Sequence, residues 1–359
     1  MTKKNSFDLI RIVAAFLVLV SHSFALTGLP EPQVLPGYSL GRIGVNVFFA
    51  LSGYLIFQSL DRDPNLVRFL AKRSLRIFPG LAVMLLVTTF VIGPLLSSLP
   101  AQEYFSRAET WSYLGKIKLW GDDRLPGLFE HNRYPTTVNG SLWTLKWEWL
   151  MYCILGSIAV IKRAWWGMTV LTLCMMFVAL ALLSDSNYHG GPLPILGKLL
   201  PHQNPFLPGS FFLVGALLAV FQINSKTWLV PSFHWAIIVG ACAVLAIGGS
   251  IATQVGLWLL APAVIIAIGE SGLSSRIGLN IRNDVSYGLY IYAFPIQQSI
   301  ASLWPEISWW GSLLLATPLT VGVSFLSWCY IEKPALKLKG RIKHFTVRSK
   351  LNSIAPDKV

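Results

Sequence analysis

Ten apolar runs, each about as long as a bilayer's hydrocarbon core is thick, recur along this chain and restrict its fold more than any other feature. They fall at about 7–26, 44–60, 77–97, 143–161, 164–183, 206–222, 235–250, 254–270, 286–303 and 308–331. A helix needs about 20 mostly apolar residues to cross a membrane, and in hydrocarbon only elements that satisfy their own backbone polar groups persist. The expected fold class is therefore all-α, a polytopic membrane helix bundle of about ten transmembrane helices. Composition agrees: 54% of the 359 residues are hydrophobic and 13% charged, about half the charge fraction of a soluble domain.

The net charge of +13 taken alone suggests nucleic acid, but its distribution points to a membrane surface instead. With both termini cytoplasmic, 20 of the 29 Lys and Arg fall on cytoplasmic segments, the bias that sets membrane topology. Lys3 and Lys4 before the first apolar run imitate a secretory signal. That run is too long for one and carries Arg11 and His22, so it reads as a retained first span.

Arg11 and His22 stand eleven residues apart in that span. At about 100° per residue they lie within about 20° of one face, roughly 16 Å apart along the axis. Ionisable groups inside a span are costly and mark pathways or reaction centres. His22 can take and return a proton near neutral pH. Arg11, only about one turn inside, has a competing reading, snorkelling to the interface.

Arg73 and Arg76 share a helix face at i and i+3, with Lys72 beside them,. Two guanidinium groups so placed suit phosphate, which arginine grips in a planar fork; a topology-setting flank explains them equally. Glu148 lies about two turns into the fourth span, among Trp143, Trp147, Trp149 and Tyr152. It needs a cation, either Lys146 or an arginine on another helix. Trp143 and Trp147 are spaced to stack at i and i+4. Ser52-Gly53 reads as close helix packing through small residues, and Asn46 as a polar contact near the outer end of its span.

The segment 98–142 is the one sizeable loop before the tail, and loops this long are functional or disordered. Asn139-Gly140-Ser141 at its end has the form of a helix start,. The four cysteines, Cys153, Cys174, Cys242 and Cys329, lie in apolar stretches without metal-ligand spacing,. No P-loop, dinucleotide fingerprint or nucleophile elbow is present. The chain divides into a transmembrane domain, 1–335, and a basic cytoplasmic tail, 336–359, expected to lie on the anionic leaflet.

Taken in order, these pieces resemble the acyltransferase family 3 integral-membrane proteins, which O-acetylate bacterial surface and exported glycans. Phe7-Asp8-Leu9-Ile10-Arg11 through His22 resembles the family's Arg-x10-His signature. Gly44 to Tyr54 resembles its Gly-Val-Asp-x-Phe-Phe-x-x-Ser-Gly stretch, with Asn46 where aspartate is common. Arg73-Ser74-Leu75-Arg76-Ile77-Phe78-Pro79 is similar to its Arg-x-x-Arg-x-x-Pro element. Leu125 to Phe129, then Asn139 to Leu145 with Glu148, resembles its loop-to-helix block, and Tyr330-Ile331-Glu332-Lys333-Pro334 its closing motif. Tyr290 to Pro295 departs from a Tyr-Leu-x-His-x-Pro pattern, since Ala293 replaces the histidine.

The resemblance implies a membrane O-acyltransferase in a bacterial cytoplasmic (inner) membrane. It implies cytoplasmic acetyl-CoA, or a related acyl-CoA, as donor, no metal, and a hydroxyl of a cell-surface or exported glycan, or of a lipid-linked saccharide, as acceptor. His22 is then the general base, with Arg11 and Glu148 beside it. Arg73, Arg76 and Lys72 receive the CoA phosphates, and Trp143, Trp147 and Asn46 bind the acceptor. The partners are acyl-CoA, the saccharide and membrane lipids, and no nucleic acid. Two other classes fit ten spans: a proton-coupled secondary transporter using His22, Arg11 and Glu148 as a relay, or a subunit of a glycan exporter.

Overall fold

The computed structural model of the chain describes residues 6–35, 37–188, 206–224, 239–240, 250–279 and 283–340. Over them the protein is a helical membrane bundle. Its helices are α1 (Phe7–Leu26), α2 (Leu40–Arg62), α3 (Leu66–Val87), α4 (Ala101–Ser106), α5 (Ala108–Leu114), α6 (Trp143–Ser157), α7 (Trp166–Tyr188), α8 (Phe206–Asn224), α9 (Ser250–Glu270), α10 (Ser286–Leu303), α11 (Trp309–Ser327) and α12 (Lys333–Lys337). A two-stranded hairpin, β1 (Gln33–Leu35) with β2 (Tyr38–Ser39), joins α1 to α2.

Among the described residues, five helical stretches are long and apolar enough to cross a membrane: Phe7–Leu26, Leu40–Arg62, Leu66–Leu96, Arg163–Ala181 and Trp309–Lys337. Phe206–Phe221 and Gly256–Glu270 are shorter apolar helices. The segments expected at 143–161 and 286–303 are helices too, α6 and α10. The one expected at 235–250 lies almost wholly outside the described residues. α3 begins earlier than the apolar run, its start fixed by the Asn65 side chain, which accepts Arg68 N–H at 2.9 Å,. Arg73 and Arg76 are consequently interior residues of a long helix, not flanking ones.

Small residues set the closest helix crossing. A Cβ on Gly53 would strike the Phe212 carbonyl, and one on Gly215 the Ala50 carbonyl. α2 and α8 thus meet backbone to backbone, the packing Ser52-Gly53 suggests. α1 lies against α2 as well, with Gly44 facing the Ala14 carbonyl, and it also packs on α10.

The 98–142 loop is folded, not disordered. Tyr104 and Tyr113 are fully buried, and Tyr104 Oη donates to Thr89 O at 3.0 Å. That carbonyl belongs to a single π turn, Thr88–Ile92, through which α3 runs on to Leu96. A π turn leaves backbone acceptors to be satisfied from outside, and the loop supplies the donor. Asn139 then does two jobs. Its Oδ1 accepts Ser141 N–H at 3.1 Å and starts the turn into α6. Its Nδ2 donates to Ile291 O at 2.8 Å, the carbonyl that Pro295, lacking an N–H, leaves unserved in α10,.

Candidate active site

One cavity of about 350 Å³ opens near the N-terminal end of α1 and runs into the bundle. Its wall includes Arg11 from α1, Ser52 from α2, Arg73 and Arg76 from α3, and Glu148 and Tyr152 from α6. Tyr290 of α10 lines it as well, and Asp284 and Lys339 come from outside the long helices. Residues separated by up to 328 positions in the chain therefore face one space. Arg11, Arg73, Arg76 and Glu148 meet there. Lys72 is not part of the wall. Its Nζ donates to Asp63 at 2.5 Å, and Arg68 Nη2 donates to the same carboxylate at 2.6 Å. Burial pushes the Asp63 carboxyl up, and these two cations more than offset it, holding it below the usual carboxylate range,.

The buried charges are arranged around Asp284. Arg76 Nη2 donates to its Oδ2 at 2.6 Å and Arg11 Nη1 at 3.5 Å, while Ser286 N–H and Oγ–H occupy Oδ1. Burial raises this carboxyl, but the Arg76 and Arg11 charges prevail and keep it below its ordinary value. Arg11 also reaches Asp8 at 3.3 Å, and Arg76 approaches Glu332 at 3.9 Å. Glu148 is held by the Tyr152 hydroxyl and, at 3.5 Å, by Ser52. Such cross-links suit a low-dielectric site, where an unpaired charge costs several kcal/mol.

Arg73 is the exception. Its one hydrogen bond is Nη2 to Ser59 Oγ at 3.4 Å, and its buried Nε has no partner. No carboxylate lies within ion-pair distance of it among the described residues. A buried guanidinium lacking a counter-ion is a seat for an anionic ligand. Lys339, at the cavity mouth, adds a second cation. Burial, followed by the charges of Arg73, Arg76, Lys72 and Arg11, brings its ammonium down to about 8. The division expected at 335 therefore runs through the cavity wall, which includes Leu336 and Lys339.

His22 is not in this wall. The cavity ends at Phe48, Thr144 and Tyr290, where Tyr290 Oη and Thr144 Oγ1 are 2.6 Å apart and Tyr290 Oη donates to Ser141 O at 3.1 Å. One turn further along α10 the Phe294 ring stands edge-on to His22, with centroids 5.0 Å apart, and to Tyr134 at 6.0 Å. Gly140 makes room for it: a Cβ there would lie 2.7 Å from Phe294 Cε2. Arg11 and His22 thus have different surroundings: Arg11 lines the cavity, and His22 lies outside its wall against an aromatic layer of Phe294 and Tyr134. Ala293 is buried beside it.

The expected acceptor residues are dispersed. Asn46 is buried with a bare Nδ2, and Trp147 keeps a bare Nε1. The Lys146 ammonium, not the Trp143 ring, lies over Trp147, at 5.1 Å. Two wall residues carried no sequence signal, Asp284 and Lys339. The first reads alone as a turn residue before Ser286, the second as one of many basic tail residues.

Comparison with known proteins gives an independent view. A family model described as an acyltransferase domain (Acyl_transf_3) matches residues 4–329. An O-acetyl transferase of Shigella phage Sf6 is 33% identical over 342 residues, covering 93% of this chain and 96% of that protein. Nodulation protein 10 of Rhizobium leguminosarum bv. viciae is 26% identical over 368 residues, covering 94% of each. No solved structure gives a significant match.

Proposed function

The chain belongs to the acyltransferase-3 family and is an O-acyltransferase, and from that premise we propose that it carries an acetyl or related acyl group from cytoplasmic acyl-CoA to a hydroxyl of a saccharide on the far side of the membrane. The donor enters the Arg11 end. Arg73, aided by Lys339, holds the phosphates of CoA. Asp284 keeps Arg11 and Arg76 in place as the rest of the basic wall. The pantetheine arm lies in the cavity, past Glu148, with its thioester toward the Tyr290–Thr144 end. The acceptor approaches from the loop side, and His22 takes its proton as the hydroxyl attacks the thioester carbonyl. Trp143, Trp147 and Asn46 belong to the acceptor side of this reading. The orientation it needs, with both termini in the cytoplasm of a bacterial inner membrane, rests on the positive-inside bias.

The observation that carries the reading is Arg73, a partly buried cation with a sealed Nε and no carboxylate in reach among the described residues, in the wall of a basic cavity. An anionic donor supplies the missing charge. The relative described as an O-acetyl transferase supports an oxygen acceptor, and the saccharide rests on the family resemblance of the sequence motifs.

The test is turnover of acetyl-CoA by purified protein in lipid nanodiscs with a saccharide acceptor, for wild type and His22→Ala. We expect His22→Ala to bind acetyl-CoA normally while transfer falls by about 10²–10⁴-fold, the usual worth of a general base. Full transfer by that variant removes His22 from the chemistry. Accumulation of solute in vesicles without thioester cleavage would replace the whole reading with transport.

A further inference from the structure

Beyond the aromatic layer, the seam between α1 and α10 holds a fully buried glutamine, Gln297. Its amide orientation is forced. Nε2 lies 3.0 Å from Leu19 O and 2.7 Å from Ser23 Oγ. A backbone carbonyl can only accept, so the nitrogen must face it; a flipped amide would set two oxygens against each other. Ser23 Oγ–H is itself committed to Leu19 O at 3.1 Å, so Ser23 accepts from the amide and both amide hydrogens are used. What remains is Oε1, buried, fixed in direction and without a donor.

His22 lies between those two anchor points in α1. Its ring packs on Phe294, one turn before Gln297 on the same face of α10. Its Nδ1 is likewise sealed and bare. A neutral imidazole carries one N–H and one lone pair. A bare carbonyl oxygen and a bare ring nitrogen, both shut away from water on one seam, complement each other when that nitrogen bears the hydrogen.

Resting on the reading of His22 as base, we infer that Gln297 is the positioning residue for His22: its Oε1 accepts Nδ1–H and leaves the Nε2 lone pair to work. The bond is not made in this structure, where both atoms are bare, and forms as the ring settles on the substrate. The acceptor O–H then gives its proton to Nε2, and its oxygen bonds to the thioester carbonyl carbon. The C–S bond breaks and the CoA sulfur leaves with the electron pair, taking up the proton from Nε2. A neutral amide holds the imidazolium without burying a second charge.

The experiment uses the full chain in nanodiscs, acetyl-CoA as donor and octyl β-glucoside as the alcohol probe. Gln297→Leu is expected to lower kcat by about 10²-fold while KM for acetyl-CoA stays within about twofold. Gln297→Glu, protonated in this sealed seam, donates its O–H to Leu19 O and keeps a carbonyl oxygen for Nδ1–H, and is expected to recover to within about tenfold of wild type. Ser23→Ala breaks the same interhelix contact but spares Oε1, and its kcat is expected to fall less than about threefold. Acetyl-CoA binding by each variant reports that the bundle is intact. Wild-type kcat in Gln297→Leu overturns the inference, as does Gln297→Glu no faster than Gln297→Leu. Ser23→Ala as slow as Gln297→Leu overturns it too, because pinning the helices would then be the cause. Undiminished transfer by His22→Ala sinks the underlying reading instead, so the two failures are told apart.

Discussion

The two ends of the bundle treat polar groups in opposite ways. At the Arg11 end, charges are many and mostly paired: Asp284 gathers Arg11 and Arg76, Asp63 gathers Arg68 and Lys72, and of the cavity's cations Arg73 and Lys339 stay without a carboxylate among the described residues. At the His22 end the charges, Glu31 held by Ser21 and Arg133 on Thr27 O, stand at the end of α1, and the bare buried atoms are neutral: His22 Nδ1, Gln297 Oε1, Asn46 Nδ2 and Trp147 Nε1. A paired-charge chamber is stiff and selects an anion by charge. A dry seam with bare acceptors and donors is poised for a neutral, hydroxyl-bearing partner and costs about 1–3 kcal/mol per unsatisfied group until one arrives. The difference fits the two substrates proposed above, an anionic acyl-CoA and an alcohol.

The layer between the ends is where that contrast is easiest to break. Phe294 separates cavity from seam, touching His22, Tyr134 and the space above Gly140. Removing the ring in Phe294→Ala joins the two regions and opens a path by which water from the loop side reaches a bound thioester. We expect acetyl-CoA hydrolysis without acceptor to rise by about 10-fold or more, with transfer falling, since exclusion of water is what prevents such side reactions. Gly140→Ala pushes a methyl group onto the same ring and is expected to slow transfer without the leak. CoA release measured with and without acceptor checks both; unchanged hydrolysis in Phe294→Ala means the layer is not the barrier.

Much of this was legible in the sequence, and the omissions have physical causes. The spans, the Gly53 contact and the Asn139 helix start follow from local length, size and capping rules, which need no knowledge of partners. Arg73 and Arg76 stand out because two guanidiniums share one face, a pattern an anion site and a topology-setting flank explain equally; that both line one cavity comes only from the fold. Lys72 reads the same way, yet Asp63, nine residues earlier, captures it. Asp284 was missed since its meaning comes from Arg11, 273 positions away, and a lone aspartate before a serine has a local reading that suffices. Gln297 and Phe294 sit in an apolar helix where no charge marks them. Periodicity tells which residues turn inward, not which of them meet.

A second expected effect sharpens the contrast within the charged end. Arg73→Ala should weaken acetyl-CoA binding by about 10-fold or more, the worth of a charge-assisted contact to phosphate, because this guanidinium has no carboxylate to leave behind. Lys72→Ala should change it little and instead loosen the Asp63 turn between α2 and α3. Titration of nanodisc-embedded protein with acetyl-CoA separates them. Equal losses in the two would return both residues to a general basic flank.

Lys339 gives the smallest effect and the most specific sign. It lies outside the spans, at the mouth, with Arg73, Arg76, Lys72 and Arg11 as the charges around it. Burial and those cations bring its ammonium down to about 8, so below that pH it is charged and above it neutral. The attraction it offers to a phosphate is therefore fully present at pH 6.5 and lost as the pH rises through 8 toward 9. A bound phosphate favours the charged form and moves that loss upward. Because the site is partly open to water, the expected change in acetyl-CoA affinity is modest, about 2–5-fold across the interval. Lys339→Arg, charged throughout, should bind equally at both pH values. Lys339→Gln should bind weakly and equally at both. A wild-type affinity that is flat from pH 6.5 to 9, with Lys339→Gln matching it, would detach the tail from the donor site and leave Arg73 as its sole unpaired cation among the described residues.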